Sequence, residues 1–215
     1  MTDFYLLSID TTGKNWSVSV FRDDRELSSY LFDEKTVVSS NLAPSIIKIL
    51  REFEVKPSKL SAIAVAAGPG SMTGIRIGMS TAVGLASSLC IPCAGVNLLK
   101  AMHEVLGSAD HDTVAVCSAG RNMLNWQLFN AAGQAAGVRN GSPQEFREFV
   151  LTLRSDQIIA TPDIEDPVFD SKSICPAALS SVVGRWAVAN RNRLSEFPAA
   201  PVYTSELTFK KLSEQ

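Results

Sequence analysis

The sequence has little of the chemistry that marks metal-binding, secreted or membrane proteins. Its 215 residues include two histidines and four cysteines, and no apolar run approaches the ~20 residues needed to span a bilayer. His103 and His111 lie eight residues apart, which is neither a helical i,i+4 pair nor an HExxH motif. Charge of one sign is also lacking, since 20 basic and 22 acidic residues give a net charge of −2. We therefore expect no metal site, no membrane span, and only local or indirect contact with nucleic acid.

The amino-terminal residues lack a basic stretch followed by a long apolar core, so no signal peptide is predicted. Hydrophobic residues make up 46% of the chain and charged residues 20%, which is typical of a soluble globular protein. A chain of this length can bury a substantial core in one large or two small domains. We expect a cytoplasmic protein.

The pair Cys90-Ile-Pro-Cys93 has the spacing of a thioredoxin-type redox motif. A reactive pair of this kind lies at a helix amino terminus, where the dipole lowers the thiol pKa. Here the pair follows a predicted helix and precedes a predicted strand, which is the wrong end of a helix. A single pair does not complete a four-cysteine zinc site either. The cysteines are therefore predicted to be buried and structural.

Hydrophobic periodicity predicts two successive α/β halves, joined by a linker at 107–112. Residues 1–106 form the predicted amino-terminal subdomain, and 107–215 a carboxy-terminal subdomain in which the pattern is eroded. The first half is predicted to hold strands at 4–9, 16–21, 26–32, 62–67 and 93–96, with helices at 39–54, 73–89 and 98–106. The second is predicted to hold strands at 113–117, 123–129 and 157–160, helices at 143–154, capped by Ser142, and 177–189, and an irregular tail at 198–215.

A glycine-rich segment joins a buried strand to the second helix. It is not a P-loop, because no lysine follows Gly74, and it is a poor dinucleotide fingerprint, because Thr73 stands at the third glycine position. Its backbone N–H groups could hold an anion at the helix start. Alternatively, the glycines only shape the turn and permit close packing, and the residues alone favour this interpretation. The candidate loop residues are Gly68, Pro69, Gly70, Ser71, Thr73, Gly74, Arg76 and Gly78.

The first strand ends in Asp10, which is followed by Thr11 and Thr12. A carboxylate in this place can hold a metal-bound water, and the hydroxyl and N–H groups beyond it can contact phosphate. The alternative is an ordinary turn capped by its own side chains. Without further information, these three residues favour the turn.

Three segments together resemble the TsaB family. They are Ile9 to Thr12, Ala67 to Gly78, and Ile91-Pro92 with Gly95-Val96. That family typically reads AIDTS, then GxGPGSFTGLRIG, then GIPLxGV, and Met72 stands here where Phe is usual. The resemblance implies an α/β, actin-like (ribonuclease H-like) ASKHA fold with two related subdomains and mixed sheets flanked by helices.

The resemblance also implies a function. TsaB proteins act as non-catalytic scaffolds that pair with TsaD, the catalytic subunit that transfers a threonylcarbamoyl group to adenosine beside the anticodon of tRNA. A TsaE-like ATPase is a further implied partner, and the chain alone would form a homodimer. No catalytic residue, metal or cofactor of its own is expected, and ATP would lie at a shared interface. Contact with tRNA would be indirect. The rival hypothesis is an active ATPase or phosphotransferase that uses Asp10.

The chain departs from the family pattern in three places. Val38-Ser39-Ser40 replaces His-Ser-Glu, Ser118-Ala119-Gly120 replaces Asp-Ala-Arg, and Met123-Leu124-Asn125 replaces Glu-Val-Tyr. An actin-like ATPase needs an acidic residue in its second phosphate loop, and a neutral hydroxyl at Ser118 cannot replace it. These departures favour the scaffold hypothesis.

The second helix predicts a partner surface. At about 100° per residue, one stripe should pack on the sheet, and it holds Ile75, Met79, Ala82, Ala86 and Leu89. The opposite stripe carries small residues instead of Lys, Glu and Arg, and Ile47 lies off the core stripe of the first helix. Alternatively, the carboxy-terminal segment covers both helices. The predicted interface residues are Ile47, Thr73, Ile77, Ser80, Thr81, Gly84 and Ser88.

Overall fold

The computed structural model describes residues 3–107, 110–120, 122–153, 157–164 and 173–204. Five strands form a first sheet in the order β3-β2-β1-β4-β5. The first three strands make an antiparallel meander, whereas β4 pairs parallel with β1 and β5 parallel with β4. Strands β1 and β4 are almost continuously apolar because both of their faces are covered. The strands are β1 (Tyr5–Asp10), β2 (Trp16–Arg22), β3 (Arg25–Phe32), β4 (Leu60–Gly68) and β5 (Cys93–Asn97).

A second sheet repeats this arrangement in the order β10-β9-β6-β7-β8. Strands β6, β7 and β8 are antiparallel neighbours, and β9 and β10 add in parallel on the other side of β6. The chain is therefore built from two sheets of one topology. The strands are β6 (Thr113–Gly120), β7 (Met123–Phe129), β8 (Arg139–Gly141), β9 (Gln157–Ala160) and β10 (Ser173–Ile174).

Five α-helices in the described ranges complete a layered structure. Helices α1 and α2 cover the outer face of the first sheet, α3 and α5 lie between the two sheets, and α4 covers the outer face of the second. Each helix buries one apolar stripe, so three apolar clusters separate the layers. The helices are α1 (Val38–Glu52), α2 (Met72–Leu89), α3 (Leu98–Leu106), α4 (Pro143–Thr152) and α5 (Leu179–Ala189), and short 3-10 helices lie at Pro57–Lys59 and Arg191–Glu196.

The predicted bounds of α3, β7 and β9 are confirmed, and the other predicted elements differ at their ends. Ser142 caps α4 in a capping box with Glu145. Strands β8 and β10 were not predicted, because three and two residues are too short to show a period. Of the predicted irregular tail, 198–204 form only a bridge from Pro198 to Ala94, and the rest lies outside the described residues.

The two halves are not independent layers, because α5 returns to the first sheet. Its Ser180 N–H donates to Ser17 Oγ at 3.0 Å, and the hydroxyls of Ser180 and Ser19 lie 2.6 Å apart. Backbone hydrogen bonds also tie the carboxy-terminal residues to the first half, from Gly95 N to Phe197 O and from Val202 N to Ala67 O. The division into 1–106 and 107–215 stays a prediction.

The expectation of buried cysteines is wrong for two of the four. Cys90 and Cys175 are exposed, Cys93 is half-buried and Cys117 is buried. Cys90 is the C-cap residue of α2, where the apolar stripe of the helix has ended. Burial raises the pKa of Cys93 to about 11, so this thiol is a poor nucleophile. Within the described ranges, no helix combines the length and apolarity that crossing a bilayer requires.

Candidate functional site

Asp10 is fully enclosed at the end of β1. Its Oδ1 accepts hydrogen bonds from the Thr12 backbone N–H at 3.2 Å and the Thr12 hydroxyl at 2.6 Å. Its Oδ2 is buried and has no hydrogen-bond partner among the described residues. Burial raises the pKa of Asp10 to about 6, the Thr12 bonds oppose this rise, and the charge of Asp163 adds to it. The side chain therefore caps its own turn, as the simpler interpretation of the sequence predicts.

Asp163 is a second acid near Asp10, and sequence reasoning missed it. It follows β9 in the second half and reaches across to the first. Its Oδ1 accepts from the Thr161 hydroxyl at 2.6 Å, and its Oδ2 accepts from the Lys14 backbone N–H at 3.2 Å. No local motif marks it, but its place just beyond a parallel strand is where α/β proteins gather functional side chains.

The glycine-rich loop packs directly on Thr11 and Thr12. A Cβ added to Gly74 would lie 1.8 Å from Thr11 O, and one added to Gly78 would lie 2.2 Å from Thr11 Oγ1. A Cβ on Gly70 would lie 2.6 Å from Thr12 O. These distances leave no room for a side chain at any of the three positions. They support the packing role of the glycines over an anion site.

The start of α2 is held by further contacts within the chain. Ser71 Oγ accepts from Gly74 N at 3.3 Å and caps the helix, while Ser71 N donates to Thr12 O at 2.7 Å. Gly68 has φ 109°, and a Cβ there would lie 2.5 Å from Val202 O. The peptide bond between Gly68 and Pro69 is cis, and Pro69 is buried. Thr73 and Arg76 are exposed, and Arg76 Nε lies 3.3 Å from the Tyr203 hydroxyl.

A cleft of about 730 Å³ separates the two halves. It carries charge of both signs, from Lys14, Glu34 and Lys35 on one wall and Asp163 on the other. Ser118 also lines it, and its Oγ accepts from Gly120 N at 3.3 Å. Asp10 does not line this cleft. The two predicted loop positions, Asp10 and Ser118, therefore do not face a common opening.

The outer face of α2 agrees in part with the predicted stripe. Four of the five predicted core residues, Ile75, Met79, Ala82 and Ala86, are buried, whereas the fifth, Leu89, is half-buried. Thr73, Ser80, Gly84 and Ser88 are exposed, as is Ile47 of α1, at 50%. Ile77 and Thr81 are half-buried, since Ile77 packs partly against the first sheet's outer core. The interface assignment stays a prediction.

The two histidines lie apart from this region. The ring of His103 stacks on Phe129 with centroids 4.4 Å apart, and burial lowers its pKa. His111 is exposed. Within the described parts of the chain, no three His, Cys, Asp or Glu side chains are placed to hold a metal ion.

Known proteins resemble the chain over different lengths. A profile of the TsaD family, tRNA N6-adenosine threonylcarbamoyltransferase, matches residues 37–142. An uncharacterized protein of Mycobacterium leprae is 30% identical over 193 residues, covering 86% of this chain and 52% of that protein. The TsaB protein of Bacillus subtilis, named as a tRNA threonylcarbamoyladenosine biosynthesis protein, is 36% identical over 97 residues. The match covers 45% of this chain and 42% of that protein. The structure of YeaZ from Pseudomonas aeruginosa aligns with a TM-score of 0.67 and 20% sequence identity. The alignment covers 93% of this chain and 99% of YeaZ.

The chain is similar in sequence to TsaB proteins over part of its length and shares the fold of YeaZ. The predicted α/β, actin-like fold with two mixed sheets flanked by helices is confirmed. The chain spans about half the length of the curated relatives it matches. The Asp10–Thr12 turn and the glycine-rich loop pack directly on each other.

Proposed function

We propose that this chain is a TsaB-like, non-catalytic subunit that pairs with a TsaD-like catalytic subunit. Their joint task is the threonylcarbamoyl modification of adenosine next to the anticodon of tRNA. The observation that carries the proposal is the enclosure of Asp10, which has no exposed surface. A carboxylate that positions a metal-bound water must reach the ligand directly. Enclosed by its own turn, Asp10 does not reach a nucleotide in the cleft.

The second half supports the same conclusion. Ser118, at the place of the second acidic residue, is neutral and accepts a bond from Gly120 N. The charge of Asp163 acts on Asp10, and each of the two Asp163 oxygens accepts a hydrogen bond from the chain itself. Both acids are therefore hydrogen-bonded to turns of this protein, which favours a structural role for them.

The outer face of α1 and α2 is the proposed partner surface. Thr73, Ser80, Gly84 and Ser88 give it small side chains that let another helix approach closely. The Ser80 and Ser88 hydroxyls bond to carbonyls within α2, so they need no further acceptor from a partner. Ile47 supplies an exposed apolar contact.

The remaining partners belong to the same proposal. The TsaD-like subunit occupies the α1–α2 face in the complex, and a second copy occupies it when the chain is alone. A TsaE-like ATPase joins the complex, with ATP at a shared interface. The net charge of −2 gives no general attraction to tRNA, so tRNA is reached through the partner.

Size-exclusion chromatography with the TsaD-like protein tests the partner surface. Ile77→Glu and Gly84→Arg should each stay folded by circular dichroism and lose the complex, because an unpaired charge in a dry helix contact costs several kcal/mol. Leu151→Glu on α4 and Gly137→Arg are matched controls at an exposed apolar residue and an open glycine. Both controls should bind normally. Normal binding by both folded α2 variants would reject this surface.

The rival function is an ATPase or phosphotransferase that uses Asp10. A cleft of about 730 Å³ with Lys14 and Lys35 on its wall offers room and two cations for a polyphosphate, but Asp33, Glu34 and Asp163 line the same cleft and oppose it. ATP turnover by the purified chain separates the two functions.

A further inference from the structure

Thr11 connects the two sequence motifs through a buried hydrogen bond. Its side chain is 1% exposed, and its hydroxyl donates to the carbonyl of Gly74 at 2.7 Å. Gly74 lies in the first turn of α2. A hydroxyl that could contact phosphate in a phosphate-binding loop is therefore bonded to the protein's own second helix.

The shape of α2 is fitted to this residue. Gly74 and Gly78 lie one helical turn apart, so both present the same face to Thr11. A Cβ on Gly78 would lie 2.2 Å from Thr11 Oγ1, and one on Gly74 would lie 1.8 Å from Thr11 O. The helix approaches the turn as closely as it does because both positions lack a side chain.

The neighbouring backbone adds a second attachment. Thr12 O accepts from Ser71 N at 2.7 Å, directly before α2 begins. Thr11 and Thr12 thus hold both the cap and the first turn of the helix. The predicted interface residues Thr73 and Ile77 directly precede the two fitted glycines, so a displacement of this turn moves them as well.

We infer that Thr11 is a positioning residue, whose hydroxyl fixes the first turn of α2 and thereby the orientation of the proposed partner surface. The inference rests on the proposed function and assigns one part of it to a named side chain. The turn at Thr11 and Thr12, which resembles a phosphate-binding loop, here holds the first turn of α2 in place.

Two substitutions separate the hydrogen bond from packing. Thr11→Val keeps the shape of the side chain and removes the donor, whereas Thr11→Ser keeps the donor and removes a methyl group. If the hydrogen bond positions α2, the Val variant is impaired and the Ser variant is rescued. If Thr11 only fills space, the Ser variant is impaired and the Val variant behaves like wild type. Thr161→Val is the matched control, because it removes another buried threonine hydroxyl bond, at 2.6 Å, away from α2.

The first measurement needs no partner. Hydrogen exchange of the α2 amides at 74–80 should become about tenfold faster in Thr11→Val, and stay near wild type in Thr11→Ser and Thr161→Val. The wild-type chain supplies an independent reading by NMR, in which the Thr11 hydroxyl proton should exchange slowly with water. Unchanged exchange in a folded Thr11→Val, or a rapidly exchanging hydroxyl in the wild type, would overturn the inference.

The second measurement uses the TsaD-like partner. The affinity of Thr11→Val for it should fall about tenfold, with Thr11→Ser close to wild type. Faster exchange with unchanged affinity would overturn the positioning role. A wild-type chain that forms no complex would overturn the proposed function instead, and the exchange data would then decide alone whether Thr11 fixes the helix.

Discussion

The two halves share one strand order but differ in how completely each sheet is built. Strands β3, β4 and β5 have eight, nine and five residues, whereas their counterparts β8, β9 and β10 have three, four and two. The outer face of the first sheet packs against two helices, α1 and α2. In the described residues, the outer face of the second sheet packs against α4. Topology is therefore preserved in the second half while the strands themselves are shortened.

The two corresponding turns differ in the same way. The turn after β1 is enclosed, with Thr11 and Thr12 at most 2% exposed and glycines packed on them. The end of β6 is open by comparison, since Gly120 has φ 75° and no described residue lies within 4 Å of an added Cβ. The long motif of the first half thus coincides with tight backbone packing, and the second half lacks both. Substitutions at the two turns can test whether packing or ligand binding explains that motif.

Gly74→Ala should have the largest effect. Its Cβ would lie 1.8 Å from a backbone oxygen that cannot rotate away, so we expect stability to fall by about 3 kcal/mol or more. Gly84→Ala is the matched control in the same helix, because nothing lies within 4 Å of its Cβ. That substitution should stabilise by about 0.5–1 kcal/mol, since alanine favours a helix interior. Urea unfolding of both variants measures the difference, and similar stabilities would contradict the packing role.

Asp10→Asn should have an intermediate effect that depends on pH. The native state holds the Asp10 proton up to about pH 6, whereas the unfolded chain releases it near the ordinary value of 3.8. Stability should therefore fall as pH rises between about 4 and 6, and stay lower above that range. Asparagine cannot ionise, so this variant should be more stable than wild type at pH 7 by about 1–3 kcal/mol and similar to it at pH 4.

Urea unfolding from pH 4 to 7.5 measures this dependence. Asp24→Asn, at an exposed acid, is the control and should keep the wild-type pH profile. If the decline between pH 4 and 6 persisted in Asp10→Asn, another group would be responsible for it.

Ser118→Asp should have the smallest effect. It places an acid near the end of β6, where the side chain is half-buried and can still accept from Gly120 N. We expect stability within about 0.5 kcal/mol of wild type, and no gain of ATP hydrolysis, because Asp10 stays enclosed. Thermal unfolding and a phosphate-release assay check both expectations. Appearance of ATP turnover in this variant would show that the missing acid at position 118 alone limits catalysis.

Local patterns predicted most of the fold. Helix α3 and strands β7 and β9 have the bounds that periodicity indicated, and Ser142 caps α4 as its sequence context suggested. Short strands such as β8 could not be predicted, because they are defined by pairing with β7 and not by their own residues. The fold class itself came from the resemblance of the first half to a known family.

The candidate site was less predictable, because it depends on contacts between distant residues. Asp163 reaches Lys14 only through the pairing of β9 with β6 and the packing of the two halves. The enclosure of Asp10 likewise depends on how α2 packs against its turn. Even a local feature can mislead, as with Cys90, which is exposed at the end of an otherwise well-packed helix.

ATP hydrolysis by the purified chain, compared with that of Asp10→Ala, tests the central claim most directly. The claim is that the enclosed Asp10 has a structural role and the chain has no turnover of its own. The account predicts that wild type and Asp10→Ala, both folded by circular dichroism, release phosphate at the same background rate. A clear wild-type rate that Asp10→Ala abolishes would contradict it and establish the chain as an active ATPase.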